Sequence, residues 1–182
     1  MKNHILSALR LTLVMLMIVG IYSGIVYAGS KVLPTQGNAE IINYKGQKFY
    51  ANIGQEFKSP KYFHGRPSAV NYNAAGSAGS NKGPSNEEYL QTVQKRIDTL
   101  KMQNPEMQDV KVPVELVTAS GSGLDPDISP EGAAYQARRI AKERKIPLEK
   151  IESLITRQTE DSFFGPSKVN VLKLNIALNE LR

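Results

Sequence analysis

His64, the serines at 120 and 122, and the acidic pair Asp125 and Asp127 are the residues of this 182-residue chain whose types and surroundings could do chemistry. Ser120 and Ser122 sit among glycines in ASGSGLDPDISPEGA (119–133), yet the Gly-x-Ser-x-Gly elbow that presents a nucleophilic serine is absent. The other histidine, His4, lies in the N-terminal tail, so a hydrolase would need the fold to carry a serine to His64. Two histidines without cysteine fall short of a zinc site, and the lack of cysteine excludes thiol catalysis, iron–sulfur ligation and disulfides. Asp125, Asp127 and Ser129 alternate like the first half of a calcium loop, but Pro130 stands where that loop requires glycine. Without a cation, the two carboxylates would accept backbone amides in the turn and favour the positive end of a following helix. GSNKGPS (79–85) misses the spacing of a phosphate loop.

Composition narrows the partners. Lys and Arg number 23 against 17 Asp and Glu, a net charge of +6 that is dispersed along the chain. A nucleic-acid binder would concentrate its cations on one face with aromatics between them. The densest run, Arg138, Arg139, Lys142, Arg144 and Lys145, reads as the solvated face of a helix, and no nucleic-acid partner is expected.

The elements that must position these residues follow from periodicity and capping. AEIINYKGQKFYANI (39–53) reads as a β-hairpin about Lys45-Gly46. Ser85 and Glu88 form a capping box ahead of a helix over 86–103, carried by Leu90, Val93, Ile97 and Leu100. KVPVELVT (111–118) alternates Val112, Val114 and Leu116, which predicts a strand leading into the glycine-rich loop. Ser129 and Pro130 start a helix over 130–145, Pro147 separates it from a second over 147–157, and 168–181 satisfies both periods, with helix the preferred reading. The expected fold is α+β, with the hairpin and the 111–118 strand in one small sheet covered by helices.

Residues 11–28 carry no charged side chain, and with Ile5–Leu9 they make an apolar stretch at 5–28 long enough to cross a membrane as a helix. Lys2 and Arg10 precede most of it, so the positive-inside bias places the N-terminus in the cytoplasm and a domain at 31–182 outside. The alternative is a signal peptide cleaved after Ala28, which would release a soluble exported protein that binds a small ligand through its Gly/Ser/Asn-rich loops.

Three long stretches give the chain a resemblance. YFHGRPSAVNYNAAGSAGSNKGPSN (62–86), VPVELVTASGSGLDPDISPEGAAYQ (112–136) and FFGPSKVNVLKLNIAL (163–178), behind a single apolar helix, resemble the C subunits of Kdp potassium-transporting ATPases over nearly the whole chain. The resemblance implies a non-catalytic accessory subunit in a bacterial inner-membrane pump for potassium transport. Its partners would be a channel-like subunit that selects potassium, a P-type ATPase subunit that uses ATP and Mg2+, and a small helical peptide. No cofactor is expected in this chain.

By matching motifs the resemblance carries a docking role onto His64, Gly65, Arg66, Pro67 and Ser68, then Asn71, Asn73, Ser80, Asn81, Gly83, Pro84 and Ser85. It carries the same role onto Ser120, Gly121, Gly123, Asp125, Pro126, Asp127, Ser129 and Pro130. The family is also described as a catalytic chaperone that raises nucleotide affinity through a glutamine, for which Gln158 in TRQTED is the nearest match. A domain exported behind a positive-inside anchor does not meet cytoplasmic ATP, so assembly or entrance shaping is the expected role.

Overall fold

The structure is a computed structural model that describes residues 2–163 and 165–181; Phe164 of the FFGPSK motif and Arg182 lie outside the described residues. The chain divides at Glu40/Ile41 into two compact units. In the first, α1 (Lys2–Ser30) contains no acidic residue, and an 18-residue stretch within His4–Ser30 has a mean hydropathy of 2.2. At 27 residues it reaches about 40 Å, enough to cross a hydrocarbon core of about 30 Å. Successive turns follow, with Val32 N–H donating to Gly29 C=O at 3.1 Å and Gln36 to Leu33 at 2.8 Å.

In the second unit β1 (Ile41–Tyr44) and β2 (Gln47–Tyr50) pair antiparallel as the expected hairpin. Lys45 and Gly46 both have positive φ, 49° and 79°, the backbone a two-residue hairpin turn requires. Irregular chain then runs to α2 (Glu87–Gln103), whose N-cap is Asn86, not the Ser85 of the expected capping box. The Asn86 carboxamide accepts Tyr89 N–H at 2.9 Å, while Glu88 turns outward to Lys82 Nζ at 2.8 Å. An Asn at N-cap is as good an acceptor as Ser and stands one residue closer to the first turn.

The predicted strand at 111–118 is instead a 3-10 turn over Val114–Leu116. Pro113 has no amide to give a ladder, and Thr118 turns its N–H back to Val114 C=O at 3.0 Å, closing the backbone locally. Val112 and Leu116 are buried and Val114 is 60% exposed, whereas a strand would have placed all three on one face. The single mixed sheet therefore does not form. The hairpin stands as its own sheet, and a second sheet orders β3 (Asp127–Ile128), β5 (Lys168–Asn170) and β4 (Thr159–Glu160) antiparallel as β3-β5-β4.

The three remaining helices are α3 (Pro130–Arg144), α4 (Leu148–Gln158) and α5 (Val171–Glu180). Ser129 caps α3 by accepting Gly132 N–H at 2.9 Å, as expected, and Lys145 ends it in the left-handed conformation. The ambiguous C-terminal segment is both things in turn: its first three residues are the central strand, and Asn170 then caps α5 by accepting Lys173 N–H at 3.0 Å. The core lies between the sheet and helices α3 to α5, where Phe63, Ala133, Ile140, Ile151, Val169, Leu174 and Leu178 are fully excluded from solvent. Burial of each large member stabilises the fold by about 1.5–3 kcal/mol, and Ala133 and Ala137 let α3 lie close to its neighbours.

Candidate docking surface

The motif YFHGR runs through the domain without sheet partners, and side chains replace them. Asn175 on α5 accepts Phe63 N–H and donates to Phe63 C=O, both at 2.9 Å. One residue on, Gln136 on α3 does the same for His64, accepting its N–H at 2.8 Å and donating to its C=O at 3.1 Å. Arg139 donates to the carbonyls of Pro60 and Tyr62, and Arg144 to that of Lys61 at 2.7 Å while its guanidinium lies 4.7 Å over the Tyr62 ring. Every backbone carbonyl from Pro60 to His64 thus ends on a side chain of α3 or α5. Such groups must be paired when buried, so the helices set the path of this irregular segment residue by residue.

Arg139 corrects the reading of its run as a solvated face, since it is 6% exposed beside exposed Arg138 and Lys142. Its remaining donors meet Asn104 Oδ1 at 3.2 Å and Gln136 Oε1 at 2.9 Å. Burial pulls its pKa down to about 10, with Glu143 acting in the opposite direction. It remains a cation, held by neutral oxygens. His64 is held below the ordinary histidine range, first by burial and then by Arg139, against the raising effect of its bond to Ser59 C=O. That contact, Nε2 to O at 3.0 Å, places the neutral ring's proton on Nε2.

A second network ties the glycine-rich loop to the segment that follows the motif. Ser68 Oγ donates to Gly123 C=O at 2.6 Å and accepts Tyr72 N–H at 2.9 Å. Ser120 N–H donates to Pro67 C=O at 3.2 Å, Ala78 N–H to Ser122 C=O at 3.0 Å, and Gly54 N–H to Leu124 C=O at 2.7 Å. The packing is close enough to demand glycine at 123: φ is +69°, and a Cβ would lie 2.7 Å from Val70 Cγ2 and 2.8 Å from Ala78 O. Arg66 pairs with Asp125 at 3.0 Å, the other Asp125 oxygen accepts Asp127 N–H at 3.0 Å, and the Tyr72 hydroxyl donates to Arg66 C=O. Burial pushes that phenol up to about 12, with Glu56 adding to the shift.

The carried-over residues therefore divide. His64, Gly65, Arg66, Pro67 and Ser68 come together with Ser120, Gly121, Gly123 and Asp125. Asn71 takes a left-handed turn and Asn73 Oδ1 caps Ala75 N–H at 3.0 Å, both at the surface. Ser80 is half-buried, whereas Asn81, Gly83, Pro84 and Ser85 are exposed in the approach to α2. Pro126 C=O accepts Val171 N–H at 2.9 Å, and Asp127 pairs with Lys168 at 2.9 Å, so it does not cap amides as expected. Ser129 Oγ donates to Glu115 Oε1 at 2.5 Å, which brings a carboxylate to the N-terminus of α3, where Pro130 begins the helix. Gln158 lies elsewhere: it ends α4, half-buried, ahead of β4, on the opposite side of β5 from β3.

Neither chemical alternative gains a constellation. The His64 ring bonds a carbonyl, and Ser122 Oγ accepts Leu124 N–H at 3.1 Å. No group of three metal-ligating side chains occurs among the described residues. The residues that sequence reasoning missed are Gln136, Arg139, Asn175, Asn104 and Asn170, the last donating to Ala51 C=O at 2.8 Å. A signal was present for one: Asn175 falls on the apolar face of α5 with Val171, Leu174 and Leu178, where an unpaired carboxamide would be costly.

These features define an α+β domain with a preset loop surface, in a chain that also has one helix able to cross a membrane. Residues 5–180 match the family described as KdpC: K+-transporting ATPase, c chain. The chain is 52% identical to the potassium-transporting ATPase KdpC subunit of Flavobacterium johnsoniae over all of both sequences. It is 44% identical to that of Methylococcus capsulatus, again over all of both, and 43% identical to that of Bacillus cereus over 99% of this chain and 97% of the other. The chain belongs to the KdpC family.

Proposed function

We propose that the chain is a non-catalytic accessory subunit of an ATP-driven potassium pump, which it helps to assemble and stabilise by docking. In this reading α1 is a single-pass anchor in the bacterial inner membrane, with the N-terminus in the cytoplasm and the folded domain outside. The partners are a potassium-selecting, channel-like subunit, a P-type ATPase subunit that uses ATP and Mg2+, and a small helical peptide. The observation that carries the proposal is the use made of the motif side chains: Ser68, Arg66, Asp125, Gln136 and Asn175 are engaged in holding loops in a fixed shape. Preset shape lowers the ordering cost of association, which is what a docking surface needs. A role for Gln158 in nucleotide affinity gains no comparable support.

Deletion of the chain in its host tests the proposal. The other subunits should then be recovered from the membrane separately, and potassium uptake should fail at low external potassium. Normal assembly and uptake in the deletion strain would refute it.

A further inference from the structure

We infer that the groove between α2 and the clamped segment at 60–67 receives an acidic, extended segment of another subunit of the complex; the inference rests on the docking role proposed above. The groove holds about 380 Å3, with Thr92, Lys95, Arg96 and Thr99 of α2 on one side and His64, Gly65 and Pro67 on the other. Leu100 and Leu116, both buried, form its apolar floor. Its volume suits a few side chains of a short segment and not a whole helix or domain.

Charge identifies the occupant. The ionised side chains lining this groove are both cations, Lys95 and Arg96, and no carboxylate lines it. His64, held below its ordinary range, adds no charge there, and its one N–H is already given to Ser59 C=O. The cleft beneath α3 differs, because Arg138 and Lys142 face Glu106 and Glu143 there and Arg138 already pairs with Glu106 at 3.5 Å. The groove between α3 and α4 has the opposite sign, lined by Glu131, Glu152 and Asp161. Unmatched positive charge beside an apolar floor suits a segment that offers carboxylates at the rim and an aliphatic or aromatic side chain below.

Both walls are built to wait for a ligand. The wall at His64 is fixed by Gln136 and, one residue before it, by Asn175, so it does not need ordering on binding. Arg96 Nη1 is held by Val117 C=O at 2.9 Å, which orients that guanidinium at the groove. Of the 17 residues of α2 only Leu100 is buried, and Leu90 remains 50% exposed, so the helix has apolar surface to give to a partner.

The test uses the full chain in its assembled complex, with p-benzoylphenylalanine in place of Thr99, an exposed groove residue. Illumination followed by peptide mapping should give a cross-link to another subunit at a segment containing Asp or Glu. Lys95→Glu should lower the yield at least about threefold, and Lys95→Arg should retain it. In an intact complex, a cross-link to a segment without carboxylates, to a second copy of this chain or to lipid, or no cross-link at all, overturns the inference while the docking role stands. An unchanged yield in Lys95→Glu overturns it equally. Failure of the unsubstituted chain to co-purify with other subunits would overturn both.

Discussion

Replacing Asn175 by alanine tests the claim that helices α3 and α5 hold the motif strand through side-chain amides. Asn175 is 2% exposed and Phe63 is wholly buried, so water does not reach the Phe63 N–H and C=O once the carboxamide is gone. Each buried backbone group left unpaired costs about 1–3 kcal/mol, so the pair together costs about 2–6 kcal/mol. That is a large part of the total of about 5–15 kcal/mol typical of a domain, and it corresponds to a fall in Tm of about 10 °C. Thermal unfolding of the full-length chain in detergent, followed by circular dichroism, reads the change. Asn175→Leu restores the side-chain volume without the amide and should melt nearly as low as Asn175→Ala. Asn179→Ala, which removes an exposed acceptor of Arg144, is the control and should shift Tm by no more than about 2 °C. Wild-type Tm in Asn175→Leu would refute the reasoning, because space filling and not hydrogen bonding would then be the contribution of Asn175.

The other predictions concern the loop, the buried Arg139 and the neutral His64. Gly123→Ala should destabilise by about 2–5 kcal/mol, since a side chain at φ +69° is strained and its Cβ meets Val70 and Ala78 O; urea unfolding measures it. Arg139→Met should be severely destabilising despite its similar length, because the carbonyls of Pro60 and Tyr62 lose their donor; intact amide protection at residues 61–64 by hydrogen exchange would contradict this. The folded-state pKa of His64 lies below its unfolded value of about 6.5, so the unfolded chain takes up the proton first as pH falls. The stabilisation from the neutral ring is therefore full above about pH 6.5 and is lost as pH falls towards the folded value. His64→Gln should flatten that part of a Tm profile between about pH 7.5 and pH 5, and an unchanged slope would exclude His64 as its source.

Much of the fold was legible because local rules and tertiary packing agreed. The hairpin at Lys45-Gly46, the Ser129 cap and the helices at 87–103, 130–144 and 148–158 all follow from turn chemistry, capping and periodicity. The strand expected at 111–118 failed because Pro113 and a 3-10 turn break the alternation, burying Val112 and Leu116 while Val114 faces out. β3 and β4 are two residues long, too short for any periodicity to reveal. For the candidate surface, motif resemblance found the loops, and the structure brings part of them together in one network. The clamp itself was hidden, because Gln136 and Arg139 are polar residues on a helix and ordinarily face water; only the position of the irregular segment at 60–64 makes them interior.

Gentle detergent purification of the tagged full-length chain from its native membrane, with intact-mass analysis and identification of every co-purifying protein, addresses the central claim most directly. The docking account predicts an uncut chain that includes α1, recovered in stoichiometric amounts with a P-type ATPase subunit and a channel-like membrane subunit. A chain recovered alone and shortened after Ala28 would contradict it.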